Sequence, residues 1–131
     1  MTTGIGITGL IAVAIASIFV VVPLSADAKS YRWKCSYNKM ASPEGVKREE
    51  RFSLEFAFDD ITGKAVMIGN IGVADVDIHM GNLGVTFMEK LGGGAVQTTT
   101  VTRGGESIHS RHSIIGSQVV PTQYYGTCAI S

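Results

Sequence analysis

Apolar and polar side chains alternate along most of the chain after residue 30. The alternation is clearest over residues 31–38, 51–58, 75–80 and 85–88. Successive side chains of an extended strand point to opposite faces, so a period of two gives each strand one apolar face. The same segments are rich in β-branched and aromatic residues, which strands favour. The pattern therefore predicts an all-β domain of half-buried antiparallel strands.

Short turn signals interrupt this region at seven places. Gly and Asn are frequent in them and tolerate the positive φ of tight hairpin turns. The turn segments are residues 42–45, 59–63, 69–70, 81–84, 92–94, 104–105 and 116–117. Eight strands are predicted between them, over residues 31–39, 47–58, 64–69, 71–80, 84–91, 95–103, 106–115 and 119–130. Consecutive strands joined by hairpins predict an up-and-down meander, which either closes into a barrel or forms a sandwich.

An N-terminal segment without charged residues precedes the strands. Residues 5–24 are mostly Ile, Val, Ala and Leu, and Pro23 stands shortly before an Ala-x-Ala sequence that ends at Ala28. This combination is typical of a cleaved signal peptide, 1–28, followed by a single domain, 29–131. The apolar run is also long enough to span a bilayer, and no Lys or Arg precedes it, so an uncleaved anchor is the alternative. In both cases we expect the domain to be exported, to the periplasm or the extracellular space.

The two cysteines bear on whether the meander closes. Cys35 lies in the first predicted strand and Cys128 in the last. In an oxidising compartment such a pair normally forms a disulfide, which requires Cα atoms within about 7 Å of each other. The bridge would make the first and last strands neighbours, so it predicts a closed, eight-stranded antiparallel barrel. The alternative, two free thiols in a metal or redox site, lacks the Cys-x-x-Cys spacing of such sites.

The interior of an eight-stranded barrel is either filled by side chains or holds one small ligand. Ten bulky residues are predicted to point inward: Trp33, Tyr37, Phe52, Leu54, Phe56, Phe58, Ile78, Met80, Phe87 and Ile114. This list favours a filled interior, with a shallow pocket at one open end as the alternative. The polar segment 97–100 has little apolar contrast, so we interpret it as an edge strand or as the wall of a pocket or interface.

The segment His109-Ser110-Arg111-His112 is the densest group of polar residues. Gly104-Gly105 is interpreted as a two-residue hairpin turn before this strand. Residues three apart on a strand face opposite sides, so the two histidines cannot share one metal ion. We expect His112 and Ser110 to point inward, with the apolar residues of their strand, and His109 and Arg111 to point outward. His112 then either has hydrogen-bond partners in the core or lines a ligand pocket.

These orientations give two sets of candidate binding residues. The ligand-binding candidates are Trp33, His112 and Tyr124. The candidates for contact with a protein partner are His79, His109, Arg111 and Tyr125. The sequence has no Gly-x-Ser-x-Gly nucleophile motif, and its paired carboxylates lie in turns or on outward faces, so we expect no enzyme activity, catalytic residue, metal or cofactor. Eleven basic residues balance eleven acidic ones, which excludes a polybasic nucleic-acid binder.

Parts of the chain resemble known groups of proteins. Three segments, residues 96–100, 109–112 and 123–128, resemble small exported proteins of alphaproteobacteria. The resemblance implies export, and that group has no assigned activity. The architecture is similar to the lysozyme-inhibitor barrels of the membrane-bound, C-type-lysozyme class, and that likeness is carried by Tyr31, Trp33, Cys35 and Cys128. The chain lacks the Ser-Gly-x-x-Tyr loop of that family, so none of its inhibitory residues is carried over.

Three functions follow as expectations. The first is an exported barrel that binds a protein partner or another envelope component. The second is a small lipocalin-like carrier of an apolar ligand, with an end pocket near His112 and Tyr124. The third is an envelope-associated enzyme inhibitor. Contact with a membrane is expected only if the N-terminal segment remains uncleaved.

Overall fold

Eight antiparallel strands form a closed barrel in the computed structural model, which describes Gly4 and residues 30–131, with side chains at all of the latter except 50 and 51. The strands are β1 (Ser30–Ser42), β2 (Gly45–Asp59), β3 (Lys64–Gly69), β4 (Gly72–Met80), β5 (Gly84–Lys90), β6 (Val96–Thr102), β7 (Glu106–Ile115) and β8 (Gln118–Ile130). Each strand pairs with the next, and β8 pairs with β1. The predicted all-β class, the eight predicted strands and their closure into an antiparallel barrel are confirmed.

The predicted signal peptide, 1–28, lies outside the described residues except for Gly4. Within residues 30–131, the structure contains no helix long and apolar enough to cross a membrane.

The disulfide joins the first and last strands, as predicted. Cys35 and Cys128 are register partners on β1 and β8, with their Cα atoms 3.9 Å apart and their sulfurs bonded. Both side chains are buried inside the barrel. The covalent link therefore crosses the seam where the meander closes on itself.

One half of the barrel interior is filled by aromatic rings. We call this the packed half, and it lies towards the β2–β3, β4–β5 and β6–β7 turns. The rings of Phe56 and Phe87 stack with their centroids 4.2 Å apart, and Trp33 meets Phe87 edge-on at 5.0 Å. Small and branched residues fill the remaining space, among them Ala65 and Val101. Eight of the ten predicted inward residues belong to the core or pack against it.

The other two are not buried. Met80 pairs with the buried Val85 and so lies on the inward face of β4, but it is 51% exposed at the end of that strand. Ile114 was placed on the wrong face, because it is 48% exposed on the outer face of β7. Ile114 belongs to a larger error, because the whole of β7 has the opposite orientation to the predicted one. His109 is completely buried, and Arg111 also faces the interior, whereas His112 is exposed.

The physical cause of this reversal is the turn before β7. Val101 pairs with Ser107, so the hairpin has three residues, 103–105, in place of the predicted two. Gly105 ends the turn with φ of 91° and donates its N–H to the Thr102 carbonyl oxygen. A shift of one residue in register turns every side chain of a strand to the other face. Val101 is buried, so Ser107 and the alternate residues that follow it point inward as well.

Candidate functional site

A cavity of about 410 Å³ opens at the end of the barrel opposite the packed half. We call it the cup. Its apolar wall is formed by Phe52, Leu54, Met67 and Leu91, and its polar wall by Glu89, Gln97 and Arg111. Ligand pockets for small molecules typically measure about 300–1,000 Å³ and combine an apolar lining with a few polar groups. The cup has both properties.

The cup exists because β3 and β4 present small residues to it. Gly69 pairs with Gly72 at the end of the β3–β4 hairpin, and Ala74 pairs with Met67 one step further in. A Cβ added to Gly69 would reach van der Waals contact with Leu54 Cδ2, at 3.7 Å, so the glycine leaves open space that a side chain would occupy. The large rings of the barrel lie mostly in the packed half and cannot fill this end.

A row of polar side chains crosses three neighbouring strands at the level of the cup. Glu89 on β5 pairs with Gln97 on β6, which pairs with Arg111 on β7. The Gln97 Nε2 group donates to Glu89 Oε2 across 3.4 Å, which is a long hydrogen bond. The row therefore carries a negative charge at one end and a positive charge at the other, with an amide between them.

His109 lies directly beneath this row and is fully enclosed. Its Nδ1 is 2.6 Å from Thr99 Oγ1, and its Nε2 is 3.1 Å from Gln97 Oε1 and 3.2 Å from Arg111 Nε. Arginine only donates, so Nε2 accepts from Arg111 when Nδ1–H donates to the Thr99 hydroxyl. In the other tautomer, Nε2–H donates to Gln97 and Nδ1 accepts from Thr99. Both nitrogens have partners in either tautomer.

The electrostatic surroundings keep the His109 ring neutral. Burial, with a further contribution from the positive charge of Arg111, lowers the pKa of His109 to about 3. Tyr37 lies against the same ring and shares a 2.9 Å hydrogen bond with Ser107, and burial raises the pKa of its hydroxyl to about 12. A neutral imidazole and a neutral phenol therefore form the floor beneath Arg111 at physiological pH.

Arg111 is held over two stacked aromatic rings. Its guanidinium carbon lies 5.0 Å from the centroid of Phe52 and 5.2 Å from that of Tyr124, and these rings stack at 4.3 Å. Both distances are within the range of a cation–π interaction. Among the described side chains, the hydrogen bonds of Arg111 use only its Nε, and none of the ion pairs includes it. The structure thus presents a fixed guanidinium to the cup without a carboxylate partner among these residues.

The structure separates the three predicted ligand-binding residues. Tyr124 points into the barrel at the cup end, where it contacts Phe52 and Arg111. Trp33 is also inside, but it lies in the packed half and does not line the cup. His112 was predicted to point inward and is exposed on the outer face of β7, where it pairs with Pro121.

The four predicted partner-binding residues do not form one surface. His79 is exposed on β4. Tyr125 lies on the opposite face of β8 from Tyr124, and its hydroxyl donates to Gln123 Oε1 at 2.7 Å. His109 and Arg111, predicted to point outward, are the residues that β7 turns into the barrel. Because the length of the β6–β7 turn was predicted wrongly, His109 and Arg111, the two central residues of the site, were assigned to the outer face.

Sequence reasoning also missed Glu89, Gln97 and Thr99 as site residues. The polar segment 97–100 was interpreted as an edge strand or a pocket wall, and the second interpretation is the one that agrees with the structure, since Gln97 lines the cup. Glu89 follows the inward-facing Phe87 by two positions, so the period of two already placed it inside. Among the described residues, no group of three or more His, Cys, Asp or Glu side chains is arranged to hold a metal ion.

Comparison of the chain with protein-family models, curated proteins and solved structures gives no match.

Proposed function

We propose that this protein binds a small amphipathic molecule in the cup, as an exported carrier or binding protein. The observation that carries the proposal is the combination, in one cavity, of an apolar wall and a guanidinium that has no carboxylate partner among the described side chains. Apolar surface in the cup would bind the apolar part of a ligand through the hydrophobic effect. The few polar groups would set its orientation.

Export is supported by the disulfide, because such bonds persist in oxidising compartments and are rare in the cytosol. We propose that the mature chain begins after Ala28. An intact mass of protein isolated from its own host tests this. A mass equal to residues 29–131 less two hydrogens supports cleavage and the bridge together, whereas a full-length mass would make the protein a membrane-anchored domain.

A cup-filling substitution tests ligand binding directly. Ala74 lies on the cup wall, and a leucine there would occupy cavity volume without changing charge. The probe is N-phenylnaphthylamine, a neutral dye whose fluorescence rises in apolar surroundings. We expect it to bind the unmodified protein, and Ala74→Leu to weaken binding by about tenfold or more. Ala129→Leu adds the same side chain on the exposed outer face of β8 and serves as the matched control.

Two results would contradict the proposal. The first is no binding of the dye to the unmodified protein at any concentration below its solubility limit. The second is equal binding by the two variants, which would place the dye elsewhere on the molecule. Circular dichroism of both variants checks that the barrel is intact.

Binding to a protein partner is the second candidate, because exposed apolar residues surround the mouth of the cup. We call this set the collar, and its members are Val46, Ile71, Val73, Ile115 and Val119. They come from three different hairpins at the same end of the barrel. Exposed apolar patches commonly mark interaction sites. Replacement of Ile115 and Val119, two collar residues that do not line the cup, by serine should then abolish co-purification of one specific envelope protein while dye binding persists. An enzyme inhibitor would be one form of this function.

A further inference from the structure

We propose that the cup selects amphipathic ligands with a single carboxylate, which Arg111 binds through its two Nη groups. This inference rests on the proposed function and adds the chemical class of the ligand. The inference rests on four features: the charge of Arg111, which no ion pair among the described side chains compensates, the fixed plane of its guanidinium, the apolar wall beside it, and the position of Glu89.

The first argument is charge. Arg111 points into the barrel and is only partly exposed, and none of the ion pairs among the described side chains compensates it. A cation held away from bulk water is costly unless it is paired. Glu89 is the carboxylate that lines the same cavity, yet it accepts from Gln97 and forms no ion pair with Arg111. A bound anion would supply the missing counter-charge.

The second argument is geometry. Arg111 Nε is tied to His109 Nε2, and the guanidinium lies over the rings of Phe52 and Tyr124. These contacts fix the plane of the group before any ligand arrives. No described side chain forms a hydrogen bond with the Nη groups, and a planar guanidinium matches a carboxylate with two parallel hydrogen bonds. In the tautomer protonated at Nδ1, His109 supports this arrangement as a positioning residue, because Nε2 of its neutral ring accepts the Nε–H and brings no competing positive charge.

The third argument is the distribution of polarity in the cup. Leu54, Met67 and Leu91 line the wall next to the polar row, so an alkyl chain or another apolar group fits beside the bound carboxylate. Glu89 faces the same space with a negative charge, which would repel a second anionic group on the ligand. The site is therefore suited to a monoanion with an apolar body and disfavours a dianion.

Three ligands that differ only in their head group test the inference. Decanoate, decanol and decylammonium are titrated into the unmodified protein by calorimetry at neutral pH, the two ions below their critical micelle concentrations and decanol below its solubility limit. We expect decanoate to bind at least about tenfold more tightly than either of the others, because a hydrogen-bonded charge pair contributes more than a neutral hydrogen bond. Equal affinity for all three would overturn carboxylate selection while leaving the cup as a binding site. Failure of all three, together with failure of the neutral dye, would overturn the proposed function itself.

Substitution of Arg111 assigns the selectivity to one side chain. Arg111→Gln should weaken decanoate binding by about tenfold or more and leave the affinity for decanol within about twofold. Arg103→Gln removes the same charge from the exposed β6–β7 turn and serves as the matched control. Equal losses of decanoate affinity in the two variants would mean that only the net charge of the protein matters, and would overturn the assignment of selectivity to Arg111. If Arg111→Gln does not fold, Arg111→Lys keeps the charge without the planar fork, and undiminished decanoate binding by it would overturn the bidentate contact.

Discussion

The two halves of the barrel interior are built on the same eight strands. They differ in the side chains that face inward. The packed half holds aromatic rings in mutual contact, such as Phe56 against Phe87. The cup end holds a hydrogen-bonded network centred on His109, with a cavity beside it. The interior of the packed half is filled by side chains in mutual contact, whereas the cup end has less apolar packing and holds an arginine in a fixed position. We infer that the first half mainly supplies stability and the second mainly supplies function.

Removal of the disulfide should have the largest effect on stability, because it acts on both halves at once. Cys35 and Cys128 are 93 residues apart in the sequence, so their bridge restricts nearly the whole unfolded domain. The chain-entropy treatment gives a contribution of roughly 4–5 kcal/mol for a loop of this length. We expect the Cys35→Ser, Cys128→Ser double variant to lose about that much free energy of unfolding in urea titration. An unchanged midpoint would show that backbone pairing of β1 with β8 closes the barrel without the bridge.

A pair of Phe→Ala substitutions should separate the two halves. Phe56 is completely buried between the rings of the packed half, and its truncation should cost about 3–5 kcal/mol in free energy of unfolding. Phe52 lines the cup and is partly exposed, so its truncation should cost less. Ligand binding should show the reverse order, with Phe52→Ala impaired and Phe56→Ala normal in the fraction that remains folded. Equal effects of the two variants on both measurements would remove the functional distinction between the halves.

The sequence predicted the packed half better than the cup. The packed half follows from patterns within single strands, whereas the cup depends on contacts between residues of different strands. The inward orientation of Trp33, Phe56 and Phe87 follows from alternation within single strands, which is a local signal. The disulfide was predictable because the positions of two cysteines in the first and last strands left one obvious pairing. Polar residues inside a barrel give no such signal of their own, because only their spacing from apolar neighbours, as for Glu89 after Phe87, places them inside.

Prediction of the cup from the sequence depended on the number of residues in the β6–β7 turn. Read as a two-residue turn, Gly104-Gly105 pairs Val101 with Ile108, and an apolar pair facing inward is then the natural assignment. The observed pairing of Val101 with Ser107 reverses β7 and brings His109 and Arg111 into the barrel. The partners that make this burial acceptable, such as Thr99, come from other strands, so the sequence of β7 alone could not reveal them.

The three-residue turn itself can be tested at Gly105. The residue has φ of 91°, and a Cβ there would lie 2.6 Å from the carbonyl oxygen of Cys128. Gly105 also accepts a 2.7 Å hydrogen bond from the Cys128 N–H through its own carbonyl, so the turn cannot move away freely. We expect Gly105→Ala to lower the free energy of unfolding by about 1–3 kcal/mol. Gly104→Ala is the control, because the nearest atom to its added Cβ is Thr102 Oγ1 at 4.0 Å, and equal stability of the two variants would mean that the turn does not constrain β7.

The buried histidine should make the free energy of unfolding depend on pH, through a side chain that lies at the cup end. The ordinary histidine pKa of about 6.5 applies to the unfolded chain, whereas burial and Arg111 lower the pKa of His109 to about 3 in the folded protein. Between these values the unfolded chain binds a proton that the folded chain does not. The contribution of His109 is therefore complete above pH 6.5, and falls by about 1.4 kcal/mol for each pH unit below it until the folded pKa is reached.

Urea titrations of matched variants at pH 7.5, 6.5, 5.5 and 4.5 would measure this slope. The other charged or ionisable side chains next to the ring are Arg111, Tyr37 and Tyr124, and the difference between the profiles of the matched variants reports His109. We expect His109→Gln to flatten the profile by about one proton, and the exposed control His112→Gln to leave it unchanged. A profile that keeps its full slope in His109→Gln would mean that the folded cup admits a protonated imidazole. The neutral support inferred for the Arg111 guanidinium would then be lost below pH 6.5, and carboxylate binding would have to be explained by two positive charges in place of one.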